Sequence, residues 1–190
     1  MNVRFRSAFI LILASTCTAP LAVGKNPPTG LKAGDKLQTI ANLHPDMQRH
    51  LLYTLNYQLA GMIPVCSEVV ITKVAKKDLT FTFAGQSFDI PYDSFTQEPG
   101  VSFQDAVKGI FFGGSCDQAR IRSLSKVDQD GIRAGQAHVG MTREGVLIAM
   151  GRPPFHANPT LETTTWMYWR NRYGKRAVDF GPDDKVANIR

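Results

Sequence analysis

The stretch HVGMTREGVLIAMGRPP, residues 138–154, marks both ends of one short helix and leaves that helix with an apolar face. Thr142 can accept hydrogen bonds from the backbone N–H groups of the following turn, and Glu144 puts negative charge at the positive end of the helix dipole. Met141 precedes the cap as a hydrophobic staple toward Val146, while Val146, Leu147 and Met150 recur at helical spacing. Gly151 suits the left-handed terminating position, and Pro153 and Pro154 cannot continue a helix. So short a helix must lie on another part of the chain.

The final third offers that support. TTTWMYWRNR, RAVDFG and KVANIR carry strand signals, with PDD as a turn between the last two, and an antiparallel sheet needs only one face covered. On the first of these strands Trp166 and Tyr168 share one face, Met167 and Trp169 the other. One face should meet the helix layer. The other is a candidate interaction surface, or is covered by the N-terminal half. Arg170, Arg172, Lys175 and Arg176 cluster around the hairpin, either as a solvated edge that discourages strand aggregation or as a contact for anionic lipid head groups.

Upstream, LLYTLNYQL, EVVITKV, LTFTF and QSFDIPY read as short strands joined by the turns AKKD and AGQ, whereas LHPDMQRHLL suits a helical turn. Such strands suggest a small antiparallel barrel. Residues 63–90, IPVCSEVVITKVAKKDLTFTFAGQSFDI, resemble a segment of a bacterial SH3-like barrel. Between 103 and 135, Ile121, Leu124 and Val127 predict one short helix, which Gly131 and Gly135 weaken or end. The expected architecture is α+β: a small SH3-like antiparallel barrel over 37–113, then a two-helix, three-stranded two-layer domain over 114–190. KNPPTGLKAGDK, residues 25–36, reads as a flexible tether, with order beginning near Leu37.

The first 24 residues, MNVRFRSAFILILASTCTAPLAVG, have a basic start, an apolar run too short to span a membrane, and Ala22 and Gly24 at a spacing suited to signal cleavage. Cys17, in LASTC, is a candidate lipidation site, although Thr16 is unusual before such a cysteine. This leader predicts a periplasmic protein of a Gram-negative bacterium, or an outer-membrane-anchored one if Cys17 is lipidated. Export leaves Cys66 and Cys116, an even pair that favours a disulfide over two buried thiols. Losing Arg4 and Arg6 lowers the net charge from +6 to +4, compatible with anionic lipid or peptidoglycan nearby. Nucleic acid is a poor partner for an exported chain.

The order VGMTREGVLIAMGRPP, a variable loop, WMYW, VDF and DDKVANI resembles the SmpA/OmlA family of small outer-membrane assembly proteins over about residues 125–190. That resemblance implies two helices on a three-stranded antiparallel sheet and a non-enzymatic binding or scaffold role in outer-membrane assembly or integrity. Its partners would be envelope proteins, including the assembly machinery. Typical members carry little beyond this domain, whereas here some ninety residues precede it.

Two alternatives belong to other classes. Cys116 in GGSCDQA, with His138 and His156 downstream, suggests a cell-wall-associated Cys/His peptidase, since a cysteine opening a helix gains acidity. A secreted inhibitor with a β-lactamase-inhibitor-like fold rests on analogy alone. His44, His50, His138 and His156 lack metal-ligand spacing and read as surface or capping residues. GIFFGGSC lacks the lysine of a phosphate loop, Asp183 and Asp184 form turns, and no motif calls for a cofactor.

Overall fold

A computed structural model describes residues 30–93 and 100–190. The leader, Cys17 and the first part of the tether lie outside them. Among the described residues no helix is long and apolar enough to cross a membrane. The fold is mixed α+β, with two antiparallel sheets and four helices among the described residues.

The first sheet combines β1 (Lys36–Thr39), β2 (Glu68–Val74), β3 (Asp78–Phe83), β4 (Gln86–Pro91) and the two-residue β5 (Phe112–Gly113) in the order β4-β3-β2-β1-β5. Alternation does the sorting: Val69 and Ile71, Leu79 and Phe81, and Phe88 and Ile90 all point into one core. Ala84 and Gly85 take φ of 48° and 79°, the paired left-handed conformation that lets a tight hairpin follow the strand twist. Helix α1 (Phe103–Phe111) is capped by Ser102, whose hydroxyl accepts from the Asp105 N–H, and it lays Phe103, Val107 and Phe111 on this core. Leu31 is also buried there, and the Lys32 N–H donates to Asp35 Oδ2 at 2.8 Å. Residues 31–36 therefore belong to the folded sheet rather than to a tether, because Leu31 has an apolar core to enter.

The second half contains α2 (Gln118–Ser123), α3 (Lys126–Ala134), α4 (Arg143–Met150), β6 (Thr165–Trp169), β7 (Lys175–Phe180) and β8 (Val186–Ile189), the strands pairing β6-β7-β8. Three helices precede the sheet's principal helix where the apolar spacing predicts one. Ser102, Asp117 and Ser125 each cap a separate start, so the chain is divided by its caps. Gly135 ends α3 at φ 64°, a left-handed position suited to glycine. Thr142 caps α4, its hydroxyl accepting from the Gly145 N–H at 3.0 Å.

Val146, Ala149 and Met150 are buried on the second core with Trp166, Tyr168, Val178 and Phe180. Leu147 joins this core only from its edge, since residue 149 rather than 147 completes the face with 146 and 150. Helices α3 and α4 approach so closely that a Cβ on Gly145 would run into the Asp128 carboxylate.

Residues 51–59, which carry strand signals, form no strand. With the neighbouring LHPDMQRHLL segment they build a seam between the halves. The end of α4 leaves four carbonyls without helical partners, and every one is met. Leu147 O accepts from the Gly151 N–H and Ile148 O from the Asn42 N–H, each at 2.8 Å. Ala149 O accepts from Asn42 Nδ2 at 3.2 Å, and Met150 O from Asn56 Nδ2 at 2.5 Å and Gln58 Nε2 at 3.1 Å. Asn42 Nδ2 also reaches Ile132 O in α3 at 2.6 Å. The seam's polar side chains thus replace strand pairing with helix capping.

A candidate binding face and the closed cysteine pair

The aromatic run on β6 splits cleanly. Trp166 and Tyr168 are 1% and 0% exposed, so these two members of the candidate interaction surface are core residues instead. Their polar atoms are satisfied inside: the Trp166 indole N–H donates to Leu161 O at 3.1 Å, and the Tyr168 hydroxyl to Gly151 O at 2.9 Å. Burial pushes the Tyr168 phenol well above its ordinary pKa. Their opposite neighbours, Met167 and Trp169, are half-buried on the outer face.

Around Trp169 the outer face gathers cations and rings. Lys175 Nζ lies 4.8 Å from the Trp169 ring centroid, and the His156 ring meets it edge-on at 5.0 Å. At the hairpin tip Tyr173 is 88% exposed, with the Arg172 guanidinium 5.6 Å from its ring centroid. A tyrosine so exposed gains nothing from the fold's interior.

The free edge of β6 is closed by side-chain mimicry. Asn158 Nδ2 donates to Met167 O at 2.9 Å while its Oδ1 accepts from the Met167 N–H at 2.8 Å, the pairing a neighbouring strand would make. Gln58 N–H adds a bond to Trp169 O at 2.8 Å. This edge is therefore unavailable for strand addition, and recognition through β6 must use its face.

The basic cluster divides as well. Arg170 follows Tyr168 by two residues, and Arg176 pairs with Tyr168 in register, so both arginines project from the helix-side face. Arg172 and Lys175 accompany the rings of the tip and outer face.

Cys66 and Cys116 form a disulfide, with Cα atoms 5.2 Å apart and a sequence separation of 50. It ties the turn before β2 to the segment before α2. Cys116 in this state has no thiolate to offer as a nucleophile.

His156 meets Trp169 edge-on, and His44 is buried in the seam with Nε2 3.4 Å from Ala149 O. Among the described residues no group of three His, Cys, Asp or Glu side chains is arranged to hold a metal ion.

Two structural residues escaped the sequence pattern. Buried Asp128 joins the starts of α3 and α4; its signal is Ser125-x-x-Asp128, a capping box at an apolar position. Arg143 stacks 4.2 Å from the Phe180 ring centroid and donates to Asp184, Leu161 O and Thr163 O. No local pattern distinguishes that clamp from an ordinary surface arginine.

Comparison with family models, curated proteins and solved structures finds no significant match to this chain.

Proposed function

We propose that this chain is a non-enzymatic cell-envelope protein that acts by binding other proteins, in a scaffold role in outer-membrane assembly or integrity. The carrying observation is the outer face of the second sheet, where Met167, Trp169, His156 and Lys175 run toward the exposed Tyr173 and Arg172. Aromatic and arginine side chains on a closed-edged sheet are the composition of a binding hot spot. The SmpA/OmlA-like order of residues 125–190 and the SH3-like resemblance of 63–90 support the envelope setting. So do the leader and the disulfide, with the periplasm, or the outer membrane through Cys17, as the location. Anionic lipid or peptidoglycan is a secondary contact for the basic hairpin.

The peptidase alternative requires a free Cys116, which the disulfide with Cys66 removes. The inhibitor alternative has no observation beyond its two-layer fold.

The test is site-specific photocrosslinking in intact envelopes from position 169 or 173, compared with position 183 in the β7–β8 turn. Capture of an assembly-machinery component from 169 and 173, lost with Met167→Asp, supports the proposal. Identical products from all three positions refute it. Muropeptide release from peptidoglycan by the purified chain, abolished by Cys116→Ser, would establish the enzymatic alternative.

A further inference from the structure

Residues 114–122 bridge the two halves and are held in place by few contacts. They carry most of α2, a helix of six residues with no buried side chain, too short to persist in isolation. Its first hydrogen bonds are internal: Gln118 N–H donates to Cys116 O, Ile121 N–H to Asp117 O and Arg120 N–H to Asp117 Oδ1. Arg120 Nε donates to Glu144 Oε1 of α4 at 2.9 Å. The two side chains are 57% and 39% exposed, so this ion pair contributes little. Ile121 packs on the second core only from its edge. The remaining tie is covalent, from Cys116 to Cys66.

What flanks the segment is fixed independently of that bond. Phe112, just before it, is buried in the first core. At its far end the Gln129 amide donates to Arg122 O at 3.0 Å and to Leu124 O at 2.9 Å. Cys66 belongs to the sheet side: its N–H donates to Thr39 O at 3.0 Å, and the Ser67 N–H donates to Thr39 Oγ1 at the same distance. Cutting the disulfide therefore frees the segment around Cys116 and leaves the turn around Cys66 in place.

Beside the segment runs an apolar trough. A cavity of about 230 Å³ is lined by Cys116 and Ile121 from the segment, by Ile40 at the end of β1 and by Ile148 of α4. Ile40 is already 40% exposed. A second cavity of about 220 Å³ shares Ile40 and Ile148 and continues past Leu147 and Leu161. The segment forms one wall of this trough, so its departure opens the isoleucines to water.

We infer that the Cys66–Cys116 disulfide is a redox latch: reduction by an external dithiol releases residues 114–122 while both sheets stay folded, and opens the trough at Ile40 and Ile148. Cys116 borders the open cavity, where a thiolate can reach it. One thiolate of the dithiol attacks the Cys116 sulfur, forming a mixed disulfide and expelling the Cys66 thiolate. The second then attacks the dithiol's own sulfur in that bond, closing a cyclic disulfide and expelling the Cys116 thiolate. Two electrons pass to the cysteine pair, and the two protons of the dithiol end on Cys66 and Cys116.

The experiment is hydrogen exchange on the purified chain, oxidised and after dithiothreitol, beside a variant carrying both Cys66→Ser and Cys116→Ser. Reduction should bring the Arg120 and Ile121 amides to within about tenfold of their rates in an unfolded peptide, while amides of β2, β3, β6 and β7 stay protected by about a hundredfold or more. The double variant should show the open pattern with or without the dithiol. Binding of a hydrophobic dye should rise on reduction and fall in reduced Ile40→Ser, a change at a partly exposed position outside both cores. A segment that keeps its protection after reduction overturns the inference. So does loss of strand protection along with it, because the bond is then a staple for the whole fold. Dye binding that does not rise, or rises equally in Ile40→Ser, overturns the opened trough.

Discussion

Asp128 in α3 accepts two hydrogen bonds from Thr142, the residue that caps α4: one from its backbone N–H at 2.8 Å and one from its hydroxyl at 3.1 Å. The carboxylate is fully buried, and its other oxygen accepts from the Ser125 hydroxyl at 2.7 Å. A single side chain thus fixes two helix starts and, by filling the space beside Gly145, their separation.

Replacing Asp128 by Ala leaves the Thr142 N–H without its acceptor in the interior. The expected loss is about 3 kcal/mol, since hydrogen bonds to a buried charge are lost together. Asp128→Asn, which keeps an acceptor, should lose less. Urea melts of the two variants check the order.

The face of α4 predicts a second ordering. Val146→Asp places a charge in a fully buried site and should unfold the second half, costing more than about 3 kcal/mol. Leu147→Asp should cost about 1 to 2 kcal/mol, because only part of that side chain leaves apolar surroundings. Circular dichroism melts in which Leu147→Asp proved the more damaging would contradict the packing described.

Much of this geometry is legible in the sequence, and the illegible parts have identifiable causes. Thr142, Gly151 and the prolines define α4 because caps and breakers act locally, and alternation reveals β2 to β4 for the same reason. The run 51–59 looks like a strand because Leu, Tyr and Leu are common to strands and to buried loops. Asn56 adopts φ 50° and spends its amide on Met150, 94 residues away, so no local rule can expose it. Likewise WMYW is apolar on both faces. Only the position of α4 decides that Trp166 and Tyr168 go inward and Met167 and Trp169 face out.

The cysteine pair supports a third prediction. Closing a loop of 50 residues restricts the unfolded chain by about 4 kcal/mol on the chain-entropy account. Cys66→Ser with Cys116→Ser should lower the urea midpoint accordingly, and reduction of the parent should reproduce the loss.

His44 provides a pH signature. Burial holds its imidazole below the ordinary 6.5, outweighing carbonyl contacts that favour the charged ring. A histidine with a depressed folded pKa contributes stability that is complete above 6.5 and declines as pH falls below it. Arg170 and Arg176 line the same pocket as His44. The melting temperature should therefore fall between pH 7 and pH 5, and His44→Gln should flatten that slope.

Asp179 acts at lower pH. Hydrogen bonds from Arg190 and then from Thr165 bring its pKa from 3.8 down to about 2. Its stabilisation is present above 3.8 and disappears as pH drops toward 2. Asp179→Asn should melt lower than the parent at pH 5 and approach it at pH 2, with the difference reduced by salt.

The seam also sets a timetable. Asn42 is made early, yet its amide waits for Ile132 and Ala149, 90 and 107 residues later, and Asn56 waits for Met150. As the chain lengthens from its N-terminus, these polar groups have only water to bond until α4 exists. The first sheet can assemble on the strength of its own core, but the loop beside it cannot set. The amides of Asn42 and Asn56 therefore find their partners only when the last third arrives, and a chain halted before residue 150 would present that loop unfinished.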